Sequence, residues 1–112
     1  MTDCIFCKMV AGEIKPDVVF EDETILAFRD IEPQAPVHLL IIPKQHIVNL
    51  NDLDDVALGG RLLQVAAQLA AQLGVADSGY RTVFNSNRDG GQSVYHMHLH
   101  LLAGRRMAWP PG

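Results

Sequence analysis

Three histidines recur at alternate positions in the stretch Tyr95-His96-Met97-His98-Leu99-His100-Leu101. Successive side chains of an extended strand point to opposite faces. His96, His98 and His100 then share one face, and Tyr95, Met97, Leu99 and Leu101 share the other. On that face the imidazoles stand roughly 6.6 Å apart, two strand rises each. Imidazole titrates near neutral pH, so such a row can supply a nucleophile, an acid or base, and a donor to an anion. Three of the chain's five histidines lie here. One reading is a metal site, since neutral imidazole is a zinc ligand. Another is metal-free nucleophilic catalysis, with one histidine attacking and its neighbours in support.

The segment just upstream favours the second reading. Asn85-Ser86-Asn87-Arg88-Asp89-Gly90-Gly91-Gln92-Ser93 runs directly into the histidine stretch. Asp-Gly-Gly signals a turn. Glycines let backbone N–H groups approach a ligand closely, and consecutive N–H groups form an anion-binding nest. Ser93 adds a hydroxyl donor, and Gln92 and Asn85 add amide donors. A plain hairpin loop would use the same residues, but beside three histidines the segment reads as a phosphate-handling loop.

These residues need a scaffold, and the hydrophobic pattern supplies one. A short helical segment spans Ile5 to Ala11 and ends at Gly12. Strands follow at Val18–Glu21, Ile25–Arg29 and Val37–Ile42, the last closed by Pro43, with an irregular connection marked by Pro33 and Pro36. Leu58, Leu62, Val65, Ala66, Leu69 and Leu73 recur every three or four residues, which predicts a helix over Asp54–Leu73. Two further strands are expected at Tyr80–Asn85 and Val94–Leu102. Five strands, one long helix and a short N-terminal helix make an α+β domain with a mainly antiparallel sheet. The 112 residues suit one domain, 1–112. The net charge of −4 gives no basic footprint for nucleic acid. No apolar run approaches the ~18 residues of a membrane span. The opening Met1-Thr2-Asp3-Cys4 has no basic-then-apolar layout, so a cytoplasmic location is the expectation.

The motif His96-Met97-His98-Leu99-His100-Leu101-Leu102 resembles the pattern of the histidine triad (HIT) superfamily. Asp30-Ile31, Pro33-Gln34-Ala35-Pro36, His38 and Ile42-Pro43-Lys44 are similar to the N-terminal half of that family. Gly90-Gly91-Gln92-Ser93-Val94-Tyr95, Gly104-Arg105 and the ending Trp109-Pro110-Pro111-Gly112 resemble its Hint branch, purine nucleoside phosphoramidases. The resemblance runs from about Ile5 to the last residue. It implies two chains joined into one continuous ten-stranded sheet, a homodimer.

The resemblance also implies roles. His98 is the nucleophile, attacking the α-phosphorus of a purine nucleoside 5′-phosphoramidate to give a covalent nucleotidyl-histidine that water resolves. His100 donates to a phosphate oxygen. Ser93, with the backbone from Gly91 to Val94, holds the other oxygens and the leaving group, while His96 and His38 relay protons. Asp30 takes the ribose hydroxyls. Ile5, Phe6, Phe28 and Ile31, apolar residues that pattern alone would put in the core, form the purine slot. Asn85 and Gln92 contact the nucleotide, and the tail from Met107, with Trp109, reaches across the dimer to shape leaving-group choice. The chemistry needs no cofactor. Cys4-Ile5-Phe6-Cys7 is a single C-x-x-C motif, a spacing shared by zinc and redox sites. The resemblance permits a structural zinc on Cys4, Cys7, His46 and His96, against two free thiols in a reducing compartment. Two other functions stay open: dinucleoside polyphosphate hydrolysis, as in the Fhit branch, and a nucleotide-sensing or partner-binding module with incidental hydrolysis.

Overall fold

The structure, a computed structural model, describes residues 3–112; Met1 and Thr2, the first residues of the leader reading, lie outside them. The elements run α1 (Ile5–Val10), β1 (Val18–Glu21), β2 (Ile25–Arg29), β3 (Val37–Pro43), a 3₁₀ turn (Leu50–Asp52), α2 (Val56–Gln72), β4 (Tyr80–Phe84), α3 (Asn87–Gly90) and β5 (Leu99–Ala103). The strands form one antiparallel sheet in the order β1-β2-β3-β5-β4.

The period-two alternation of the central strands builds two cores, one per sheet face. Ile25 and Ala27 of β2, Leu39 and Ile41 of β3, and Leu99, Leu101 and Ala103 of β5 face α2. That helix presents Leu62, Val65, Ala66, Leu69 and Ala70, the i, i+3, i+4, i+7, i+8 stripe expected of a half-buried helix. The opposite residues, Leu26, Phe28, Leu40 and Ile42, pack under Phe6 of α1. His38 and His100 belong to this second face, so the sheet holds the chemistry on the α1 side and its larger core on the α2 side. α2 starts at Val56, later than its periodicity predicts, because the Asp55 carboxylate accepts the Leu58 N–H and caps the helix there.

The histidine strand is shorter than expected. Pairing holds from Leu99 to Ala103 only, with Ile41 and Phe84 as the last partners of Leu99 on either side. Beyond Ile41 the chain reaches Pro43, which has no N–H to donate, and β4 ends at Phe84. Val94 to His98 is therefore unpaired, and Met97 donates instead to the Ile47 carbonyl at 2.7 Å. Met97 keeps its place in the core, but Tyr95 leaves the apolar face and is 47% exposed. The Asp-Gly-Gly turn is in fact the end of α3, closed by Gly91 at φ 78°. Gly104 has φ +93°, and a Cβ there would stand 2.8 Å from Pro36 Cβ, so the chain leaves β5 through a position that only glycine fills without strain. Among the described residues no helix is long and apolar enough to cross a membrane.

Candidate active site

The β3–β5 register sets His38 opposite Leu102 and Leu40 opposite His100. His38 and His100 are thus diagonal neighbours on one face, within reach of long side chains. Their rings meet, with His38 Nε2 2.9 Å from His100 Nδ1.

The direction of each hydrogen bond follows from its partner. The Gln34 N–H can only donate, and it lies 3.0 Å from His38 Nδ1, so that nitrogen carries no proton. Burial holds His38 neutral below the usual imidazole range, which puts its one proton on Nε2. That N–H donates to His100 Nδ1, with Asp30 Oδ2 3.5 Å away. Burial first, then the neighbouring His98 and His38, pushes His100 down to about 4. The single proton of His100 therefore sits on Nε2, as a donor. A backbone amide four residues upstream of His38 has chosen the tautomer of a ring on another strand.

His98 is fixed the opposite way. Its Nδ1–H donates to the His96 carbonyl at 2.8 Å, which leaves Nε2 as an unprotonated lone pair. Burial lowers its pKa, against the pull of that hydrogen bond, so the nucleophilic neutral form prevails at pH 7. The ring lies edge-on to Phe6 at 5.2 Å and beside His100 at 4.9 Å. A lone pair and a donor therefore stand side by side, both with tautomers set by backbone groups.

A cavity of about 440 Å³ opens over this pair, a size ordinary for small-molecule sites. Its apolar wall includes Ile5, Phe6, Met9, Phe28, Ile31, Leu40 and Val94, and its polar wall Asp30, His38, Ser93, His98 and His100. Phe6 and Phe28 meet edge to face at 5.5 Å and form the floor, whereas Ile31 is 92% exposed and stands at the mouth. Asp30 accepts the Glu32 N–H through Oδ1 and keeps Oδ2 toward His38. Met9 and Leu40 complete the slot; sequence reading missed them because their apolar types look like ordinary core.

The other expected site residues lie elsewhere. Gln92 is buried with both its donors and both its acceptor positions engaged: Nε2 donates to the Val48 and Val94 carbonyls, and Oε1 accepts from Asn87 N and Asn49 Nδ2. Its side chain has nothing left for a phosphate. Gly91 spends its N–H on the Arg88 carbonyl. Asn85, just past β4, and Trp109, 81% exposed, line none of this cavity.

His96 serves a different constellation. Its ring is fully buried and its Nε2–H donates to the Pro43 carbonyl at 2.7 Å. The bare Nδ1 then faces Cys4 Sγ at 3.3 Å, Cys7 Sγ at 3.5 Å and His46 Nδ1 at 3.3 Å. Cys7 Sγ is 3.2 Å from His46 Nδ1. Tetrahedral zinc with ordinary bond lengths sets ligand nitrogens about 3.3 Å apart and nitrogen–sulfur pairs about 3.5 Å apart. One ligand atom from each of the four, all within 4.8 Å of one another, fits that ion, and the Pro43 carbonyl provides the outer partner that metal-bound imidazoles use. A proton relay through this ring is not what the geometry offers: neither nitrogen faces His98.

Known proteins resemble this chain in sequence and fold. The HIT domain family matches residues 11–107. An uncharacterized HIT-like protein of Synechococcus elongatus is 54% identical, over 98% of this chain and 97% of its own. The purine nucleoside phosphoramidase of Escherichia coli strain K12 is 51% identical, over 92% of this chain and 88% of its own. A crystal structure of a HIT family hydrolase from Legionella pneumophila superimposes with a TM-score of 0.96 at 59% identity, covering 98% of this chain and 100% of that one. With its buried histidines, its sheet and its helices all in place, the chain belongs to the HIT domain family.

Proposed function

We propose that this protein hydrolyses the P–N bond of purine nucleoside 5′-phosphoramidates through a covalent nucleotidyl-histidine on His98. The observation that carries the reading is the opposed tautomers of His98 and His100. A free Nε2 lone pair stands beside an Nε2–H donor, both rings kept neutral because desolvation lowers both pKa values. Phosphoryl-type transfer needs little more than an in-line nucleophile and donors around the equatorial oxygens. His98 Nε2 forms the new P–N bond as the bond to the amine breaks. His100 Nε2–H donates to a non-bridging oxygen, and the Ser93 hydroxyl hands a proton to the departing nitrogen. Water then attacks the phosphorus and returns a proton to the Ser93 oxygen, the bond to His98 breaks with its electron pair on Nε2, and the nucleoside monophosphate leaves. The apolar slot over Phe6 and Phe28 suits a purine, and Asp30 at the pocket edge suits ribose hydroxyls. The name of the Escherichia coli relative supports the same substrate class.

Two further parts belong to this reading. Cys4, Cys7, His46 and His96 hold a structural zinc, which would tie α1 to the segment before His98 and supplies no step of the reaction. The free edge of β4 joins a second copy of the chain into a homodimer, an arrangement that sedimentation at micromolar concentration tests. The catalytic reading is tested with adenosine 5′-phosphoramidate and a diadenosine polyphosphate, for wild type and His98→Ala. The expected outcome is fast amidate turnover, slow polyphosphate turnover and an inert variant that still binds AMP. Full turnover by His98→Ala would refute the nucleophile assignment, and a preference for the polyphosphate would refute the substrate class.

A further inference from the structure

Three amide side chains form a closed network beneath the loop that precedes the histidines. Asn49 is 3% exposed and Gln92 is 8% exposed. Asn49 Nδ2 donates to Asn87 Oδ1 at 2.9 Å and to Gln92 Oε1 at 3.2 Å. Gln92 Oε1 also accepts the Asn87 N–H at 2.9 Å, and Gln92 Nε2 donates to the Val48 and Val94 carbonyls at 2.7 and 3.1 Å. Asn87 is held at φ 63°, the left-handed conformation that asparagine tolerates better than most residues. The network thus grips the loop at both ends, at Asn87 and at Val94, and ties both to the Val48-Asn49 segment that follows β3. What it grips is the polar edge of the cavity. Ser93 and Val94 line it, and among the described residues their N–H groups meet no protein acceptor.

We infer that Asn49, through Gln92 and Asn87, is a positioning residue that sets the Ser93–Val94 edge at the height where it receives a phosphate. The inference rests on the reading of that edge as the phosphate end of the nucleotide site. Buried amide networks hold geometry well only when every member is satisfied, and each polar atom of Gln92 is. Removing the Asn49 amide leaves Asn87 Oδ1 without its donor and Gln92 Oε1 with one. The loop then gains freedom near Asn87, and Ser93 moves with it. The base slot is built on Phe6, Phe28 and Leu40, and of the gripped loop Val94 packs against it.

The contrast between phosphate edge and base slot gives the test. Asn49 also caps the 3₁₀ turn, its Oδ1 accepting the Asn51 N–H at 3.0 Å, so Asn49→Ser keeps a capping oxygen while deleting the two donations. Adenosine and AMP are titrated calorimetrically into wild type, Asn49→Ser and, as a milder break, Asn87→Gly, which keeps the left-handed backbone. Thermal midpoints are measured in parallel. The expected result for Asn49→Ser is unchanged adenosine affinity and AMP affinity weaker by roughly tenfold, about 1.4 kcal/mol, with Asn87→Gly intermediate. Unchanged affinity for both ligands overturns the inference. Parallel loss of both affinities and of the thermal midpoint overturns it too, since that marks a merely structural role. Binding alone is read, so the expected pattern stands even if wild type hydrolyses no phosphoramidate; that result would remove the proposed reaction and leave the phosphate-positioning role.

Discussion

Replacing His38 by leucine breaks the relay at its middle. Two groups lose their partners: the Gln34 N–H, 3.0 Å from Nδ1, and His100 Nδ1, 2.9 Å from Nε2. Without a donor opposite Nδ1, His100 is free to carry its proton there and to present a bare Nε2 to the phosphate. The lost tautomer bias is worth one hydrogen bond, about 0.5–1.5 kcal/mol, or up to roughly tenfold. Complete loss of a donor aimed at developing charge costs about 2.7–4 kcal/mol, or 10²–10³ in kcat. The expected decrease in kcat for adenosine 5′-phosphoramidate therefore lies between about twofold, if only the tautomer bias is lost, and about a thousandfold, if the donor is lost altogether. Adenosine affinity should hold, because Phe6 and Phe28 are untouched. His38→Asn, whose amide can donate to His100, should recover part of the loss. The assay is steady-state AMP release, with circular dichroism to confirm folding. A kcat equal to that of wild type for a folded His38→Leu would refute the tautomer argument.

Stability should fall with acid. The folded pKa of His100 is about 4 against about 6.5 in an unfolded chain, so as pH drops from 6.5 toward 4 the unfolded state takes its proton first and is favoured. Urea midpoints should decrease over that window, and His100→Asn should flatten part of the slope; a midpoint as high at pH 5 as at pH 7.5 would contradict this. Gly104→Ala places a methyl against Pro36 at an unfavourable φ and should lower stability by about 1–3 kcal/mol, read by urea denaturation. Leu101→Ala, at the centre of the α2-side core, should cost about 2–5 kcal/mol. Metal analysis of protein purified without chelator should find near-stoichiometric zinc that Cys4→Ser loses, with a lower melting temperature; full metal content in that variant would exclude Cys4 as a ligand.

Much of the site was legible because it depends on residue type and spacing along one strand. The alternation that buries Leu99 and Leu101 also sends His100 to the other face, and a sequence shows that directly. The pairing of His38 with His100 depends on register between strands sixty residues apart, which no local pattern records. The role of Gln92 was hidden for another reason. The resemblance implied a nucleotide contact for it, yet its amide turns into the Asn49 network; His96 was given both a relay role and a place beside the cysteines, and its ring turns toward the cysteines. The groups that choose the tautomers, the Gln34 N–H and the His96 carbonyl, belong to the backbone, where side-chain identity carries no signal. Val94 to His98 was read as strand because its residues alternate. It stays unpaired because Pro43 and Phe84 end its partners.

His96 serves two masters with different atoms: its ring belongs to the cysteine cluster, and its carbonyl oxygen belongs to His98. A carbonyl is common to all twenty residue types, so the His98 tautomer survives any substitution at 96 that leaves the backbone path in place. The cysteine–histidine cluster and the proposed reaction are therefore separable units of inheritance. A lineage can shed the cysteines, and with them the demand for histidine at 96, without passing through an inactive ancestor. Position 96 is a seam along which this small enzyme can be taken apart and rebuilt, one function at a time.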